Sequence, residues 1–207
     1  MTADALLALL QQRAEAANVV VPDETAVRLD AYFRLLTHWN RRINLTSLPL
    51  EPPTAQAVDR ILVEPLVAIP FLGRRVSTWF DLGSGGGSPA IPLQVAHPAK
   101  RLVMVESRER KVAFLREVVR ELQLVGSEVF GNRIETLLDD SANLASADLV
   151  TVRAVRLSAT LFSQLDLLLK PGGQAVLFGT GPQKLDLPRG LDVQVIEPPL
   201  VVLRRKA

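Results

Sequence analysis

Over residues 23–40 the apolar positions Leu29, Phe33, Leu36 and Trp39 recur at spacings of three and four, which puts them on one buried stripe of a helix. Asp23, after Pro22, is the expected N-cap. Residues 3–18 read as a preceding helix and 55–68 as a third, after the break at Pro49 to Pro53. Near Gly73 the period changes. Short apolar runs at 76–82, 102–105, 128–130, 148–152 and 174–178 read as strands, with helices over 108–122 and 158–169 among them. Pro171-Gly172-Gly173 reads as the turn into the fifth strand, and 193–196 and 200–203 as two strands around Glu197-Pro198-Pro199. Strands alternating with helices predict the α/β class: a doubly wound, mostly parallel, seven-stranded sheet. Residues 1–72 are read as an N-terminal helical cap and 73–207 as the sheet domain.

Composition narrows the chemistry. The chain has no cysteine, so disulfides and thiolate metal sites are excluded, and its two histidines, His38 and His97, cannot build a histidine-rich metal centre. No apolar run reaches the roughly 20 residues of a membrane span. Residues 1–11 carry Asp4 and no basic region, unlike a signal peptide. A cytoplasmic protein, monomeric, without metal or membrane, is expected. The net charge of +2 permits an RNA partner without requiring one.

The most informative stretch is Asp81-Leu82-Gly83-Ser84-Gly85-Gly86-Gly87-Ser88-Pro89, between an apolar strand and a helix expected to start near Ser88. Glycines there let backbone approach a ligand closely, and in doubly wound folds ligands sit beyond the carboxyl ends of the strands. Glu106 ends the second strand, where a carboxylate can accept hydrogen bonds from both hydroxyls of a ribose. A flexible turn and a solvated strand-end charge are the plainer readings of each feature alone; together they favour a nucleoside. The G-x-G-x-G spacing and the preceding Asp81 suit the cationic groups of S-adenosylmethionine better than a dinucleotide pyrophosphate, whose loop reads G-x-G-x-x-G. Asp81 can equally bond the loop's own amides.

Here the sequence resembles the bacterial guanine-N7 methyltransferases of small-subunit ribosomal RNA, RsmG or glucose-inhibited division protein B. Residues 39–46, Trp-Asn-Arg-Arg-Ile-Asn-Leu-Thr, match the W-N-x-x-x-N-L-T element, and 81–93 match the D-L-G-S-G-x-G-x-P-x-I-P-L loop. Glu106-Ser107, the run Lys111 to Leu115, Arg133-Ile134-Glu135 and Val152-Arg153-Ala154-Val155 match further elements. The resemblance implies a class I, Rossmann-like methyltransferase using S-adenosylmethionine, with small-subunit ribosomal RNA as partner. Gly83 and Ser88 would line the cofactor, Ile134 and Glu135 would meet the adenine, and Arg153 would lie at the cofactor–substrate edge. With Asp81, Gly85 and Glu106 these make the candidate cofactor site; core packing for Ile134, an ion pair of Arg133 with Glu135 and a surface salt bridge for Arg153 are the alternatives. Three places depart from the family pattern. Asp59-Arg60 stands where an Arg-His pair is usual, Ser88 and Ala90 replace a bulky residue and a glycine, and Gly179-Thr180 replaces a lysine-glycine.

Guanine N7 has a lone pair and no proton, so attack on a sulfonium methyl needs no general base, and holding the base in line would supply the catalysis. RNA contacts are expected from Arg41, Arg42, Arg74, Arg75, Arg108, Arg110 and Lys111, although such charges are ordinary on solvated faces. Tyr32, Phe33 and Trp39 are candidates for base stacking, with core packing the stronger reading of the last two. A noncatalytic RNA-binding relative, a methyltransferase with another target and a nicotinamide oxidoreductase are the rivals.

Overall fold

The computed structural model describes residues 3–73, 76–179, 186–197 and 200–206. Its first layer is helical: α1 (Ala3–Ala16), α2 (Asp23–Asn40), α3 (Ala55–Val58), a π-helical turn (Asp59–Val63) and α4 (Glu64–Val67). The sheet region follows as β1 (Thr78–Leu82), α5 (Ala90–Ala96), β2 (Arg101–Val105), α6 (Glu109–Glu121), β3 (Ser127–Phe130), α7 (Ile134–Leu138), β4 (Ala147–Arg153), α8 (Ala159–Leu168), β5 (Leu169–Phe178), β6 (Leu191–Glu197) and β7 (Leu200–Arg205). The seven strands lie in the order β3-β2-β1-β4-β5-β7-β6. All pairs are parallel except those made by β7. The expected doubly wound sheet is therefore present, with its switch point between β1 and β4.

Strand periodicity splits the core in two. Trp79, Leu102, Met104, Leu149, Val176, Phe178, Leu200 and Val202 face the helical layer and share one cluster with Leu29, Phe33 and Leu36 of α2. The alternate positions Phe80, Val103, Val105, Val150, Val152, Ala175 and Leu177 pack under α8. The cap thus shares its core with one face of the sheet, and the stripe read on α2 is what docks it. Trp39 is half-buried, edge-on to Phe114, and donates its indole N–H to Glu117 at 3.1 Å. Among the described residues no helix is long and apolar enough to cross a membrane.

Several boundaries differ from the sequence reading. Pro22 takes the N-cap place without a side-chain bond, and Asp23 is instead the first helical residue, where its charge favours the helix dipole. The third helix is interrupted: the Glu64 amide reaches back five residues to the Asp59 carbonyl, a π-type insertion. The strand range of β5 begins at Leu169, but its ladder with β4 skips from Leu169 to Gln174, so Pro171-Gly172-Gly173 form an unpaired irregularity, with Gly172 at a positive φ of 78°, before regular pairing resumes at Gln174 as the sequence predicts. Arg74, Arg75, Thr180 and the Pro198-Pro199 turn lie outside the described residues.

Tyr32 overturns its reading as a base-stacking residue. It is fully buried and donates its hydroxyl to the Gly86 carbonyl at 2.6 Å, and burial pushes that hydroxyl's pKa up. This bond ties the cap to the loop after β1. We expect Tyr32→Phe to lower stability by about 1–3 kcal/mol, the cost of an unsatisfied buried carbonyl. Urea denaturation would show a lower midpoint with an unchanged slope.

Candidate functional site

The loop after β1 is held from three directions. The Gly83 and Ser84 amides donate to the Val105 carbonyl at the end of β2. The Gly85 amide donates to Glu106 Oε2 at 3.0 Å, while Glu106 Oε1 accepts from the Arg108 amide at 2.9 Å. Tyr32 holds Gly86 from the cap. Gly83 and Gly85 both have positive φ, 73° and 51°. A side chain on Gly83 would meet Val155 Cγ2 at 3.0 Å, so glycine is required there by conformation and by space. The helix after the loop begins at Ala90, later than expected, and Pro89 precedes it. Ala90 is fully buried.

Strand parity explains which side chains converge. Trp79 and Asp81 on β1, Thr151 and Arg153 on β4, and Glu106 just past β2 all occupy the positions that face the cap. Asp81 is 1% exposed. Its Oδ1 accepts the Thr151 hydroxyl at 2.5 Å, and Thr151 in turn accepts from the Trp79 indole at 2.8 Å. The carboxylate does not bond the loop's amides, as one reading had it, and Oδ2 is buried without a partner among the described residues. Burial pushes its pKa up to about 6.

Arg153 is a buried charge, not a surface salt bridge. Its Nη1 donates to the Arg60 carbonyl at 2.5 Å and to Ser88 Oγ at 2.7 Å, and Ser88 donates onward to the Ile61 carbonyl at 2.8 Å. Its Nη2 lies 3.3 Å from Glu64 Oε2. The guanidinium sits 4.9 Å above the Phe178 ring. Burial lowers its pKa to about 10, which leaves it charged at neutral pH.

Two clefts meet at Gly83, Glu106 and Val155. One, of about 410 Å³, is lined by Ile134, Glu135, Asn132, Leu161 and Gln164 on the α8 side. The other, of about 530 Å³, is lined by the glycine loop, Ser88, Arg60, Arg153, Arg108 and Lys111 beneath the cap. Gly83, Gly85, Ser88, Glu106 and Arg153 line the cap-side cleft, and Ile134 and Glu135 line the other.

Every candidate position except Asp81 lines one of these clefts, and Asp81 lies buried behind the loop. Ile134 is half-buried, and Glu135 accepts from Gln164 at 3.1 Å instead of pairing with Arg133. Of the cations read as RNA contacts, Arg41 is bonded to Glu51, Arg42 and Arg110 are exposed, and Arg108 and Lys111 face the cap-side cleft.

The sequence reading missed Thr151, Glu64 and Gln164. Thr151 had a signal, a hydroxyl inside an otherwise apolar strand. Glu64 had a weaker one, its place four residues after Arg60. Gln164 had none.

The family model for GidB, rRNA small subunit methyltransferase G, matches residues 25–186. Among curated relatives, the ribosomal RNA small subunit methyltransferase G of Ectopseudomonas mendocina is 37% identical over 61% of this chain and 58% of its own length. That of Neisseria meningitidis serogroup C is 35% identical over 82% of this chain and 79% of its own length. This chain thus spans less than two thirds of the first relative. Among solved structures, Pyrococcus horikoshii TYW2 in complex with MeSAdo aligns with a TM-score of 0.51 at 16% identity, covering 69% of this chain and 60% of that one, a likeness of fold alone. The match across the cap, the glycine loop and the strand bearing Arg153 places this chain in the GidB family, rRNA small subunit methyltransferase G.

Proposed function

We propose that the chain transfers the methyl group of S-adenosylmethionine to N7 of a guanine in small-subunit ribosomal RNA, in the cytoplasm. The observation that carries the cofactor half is Asp81. A buried carboxylate oxygen without a partner, behind a glycine loop and beside two joined clefts, fits a cationic ligand better than an anionic one. Ile134 and Glu135 would bound the adenine, Glu106 the ribose, and Gly83, Gly85, Ser88 and Arg153 the methionine end. The cofactor supplies an electrophilic methyl group. The acceptor half rests on family membership and on a cleft whose polar groups are already engaged in holding one another.

The chain's own work would be positional. N7 attack needs no proton removed, so no residue has to act as a base. Rigid backbone contacts to the loop would fix the methyl's position, and the acceptor nitrogen would be held in line with it. Ser88, one of the departures from the family pattern, is built into this frame through Arg153 and Ile61.

Glu106→Gln is expected to weaken S-adenosylmethionine and S-adenosylhomocysteine equally, by about 1.5–3 kcal/mol, because the two share the ribose. Calorimetry that found a loss for one ligand only would contradict the assignment. Asp81 gives a pH signature. Folding raises its pKa from 3.8 to about 6, so its ionisation costs stability as pH rises through that window. Asp81→Asn should therefore make the unliganded protein more stable at pH 7, by on the order of 2 kcal/mol. The same change should weaken S-adenosylmethionine and abolish the fall in wild-type affinity expected below pH 6, read by calorimetry from pH 5 to 8. Finally, small-subunit RNA incubated with the protein and cofactor should carry 7-methylguanosine. Borohydride and aniline cleave RNA at that nucleotide, and primer extension would show a stop that depends on the protein. Its absence, with cofactor binding demonstrated, would make the chain a noncatalytic relative or assign it another substrate.

A further inference from the structure

Arg60 and Gly179, at two of the three places where the sequence departs from the family pattern, are in contact. The Arg60 guanidinium lies against Gly179, so that any side chain at that position would collide with it, and Gly179 holds a positive φ of 72°. The guanidinium is fixed from its other side: Nη1 donates to both Glu64 oxygens at 2.8 Å. Glu64 is 9% exposed at its side chain and also takes the charge of Arg153. Two guanidinium groups therefore share the Glu64 carboxylate, and Arg153 has the buried Asp81 near it as well. Arg60 extends toward solvent: its side chain is 41% exposed, it forms part of the wall of the cap-side cleft, and only Nη1 of its guanidinium donates within the described residues. Arg60 lies within the π-helical turn Asp59–Val63, and Glu64 is the residue that follows it.

We propose that Arg60 is the residue that clamps a backbone phosphate of the RNA beside the acceptor nucleotide, a contact that rests on the function proposed above. A phosphate suits it better than the guanine edge. N7 methylation makes the ring cationic, and a guanidinium on the ring would oppose the reaction, whereas the same group on a phosphate one linkage away is neutralised. Arg60 differs from Arg108 and Lys111, which line the same cleft, in being held by both oxygens of Glu64 in the space that Gly179 leaves open. It therefore fixes where the strand lies, beyond attracting it. Arg60 is a positioning residue for the acceptor and has no role toward the cofactor.

The test measures binding of an unmodified small-subunit ribosomal RNA transcript to the full chain by filter retention at several salt concentrations, with methyl transfer measured in parallel. Arg60→Ala should weaken RNA binding about tenfold at 0.15 M salt and reduce the slope of log affinity against log salt by about 0.7–0.9, one phosphate contact. The affinity for S-adenosylhomocysteine should stay within about twofold of wild type. Arg60→Lys should restore most of the slope, since a lysine holds a phosphate as a point charge. Gly179→Ala, which displaces the guanidinium, should weaken RNA binding in the wild-type background and add nothing to Arg60→Ala. An unchanged slope in Arg60→Ala, a lysine variant as poor as the alanine one, or loss of S-adenosylhomocysteine binding would each overturn the proposal. Wild-type protein that binds RNA but transfers no methyl group would overturn the proposed function instead, and the salt slopes would still decide the Arg60 contact.

Discussion

The carboxyl group of Asp81 is buried at the end of the central strand with one oxygen on Thr151 and the other on nothing that the described residues supply. An isolated charge in that position is costly, and the fold tolerates it through three arrangements. The hydroxyl of Thr151 is held by the Trp79 indole, Arg153 stands close enough to lower the carboxyl pKa, and the strand order puts all four on the face covered by the cap. Burial still outweighs these effects. A group kept in this state is a poor contributor to stability and a good receptor for a cation. That asymmetry is the physical reason for regarding the end of β1 as a binding site and not as a turn that happens to be rich in glycine.

The loop after β1 depends on elements far from it in the chain. Tyr32 reaches it from the cap, Glu106 from β2, and Arg153 from β4 through Ser88. Each bond restrains backbone that glycine would otherwise leave mobile, so the loop gains close approach to a ligand without losing definition. The cap therefore forms part of the wall of the candidate site. Its helices bury the stripe of α2 against the sheet, and the same packing places Tyr32 and the π-helical turn in the wall of the cleft.

Where the sequence spoke clearly, a single local period was at work. The stripe of Leu29, Phe33 and Leu36 follows from helical spacing, and the alternation along β1 to β5 follows from strand parity. Asp81, the glycine loop and Glu106 were legible because strand, loop and strand-end acid keep fixed spacings. Tyr32 was misread because a buried tyrosine on a helix looks the same from its neighbours whether its hydroxyl meets a base or a carbonyl 54 positions away. Pro171-Gly172-Gly173 was legible as an interruption because proline and glycine cannot sustain the ladder, and pairing with β4 resumes at Gln174. The insertion at Asp59–Val63 leaves no mark in composition, and the triad of Arg60, Glu64 and Arg153 is assembled from segments nearly a hundred residues apart.

That triad bears on how a methyl group could be transferred without a base. In such a reaction nothing in the protein needs to change protonation, so the groups around the acceptor are free to be permanently charged, provided their charges are placed correctly. Arg153 remains cationic despite its burial, and the Glu64 carboxylate lies between it and Arg60. Glu64 does not line the cap-side cleft while Arg60 and Arg153 do, so this part of its wall presents guanidinium groups. An anionic strand would be attracted to that wall, while the ring that becomes positive would have to lie farther along, toward Gly85 and Glu106, where the negative groups are. The distribution of charge across the cap-side cleft thus favours one orientation of a nucleotide, phosphate toward Arg60 and base toward the loop, before any base-specific contact is made.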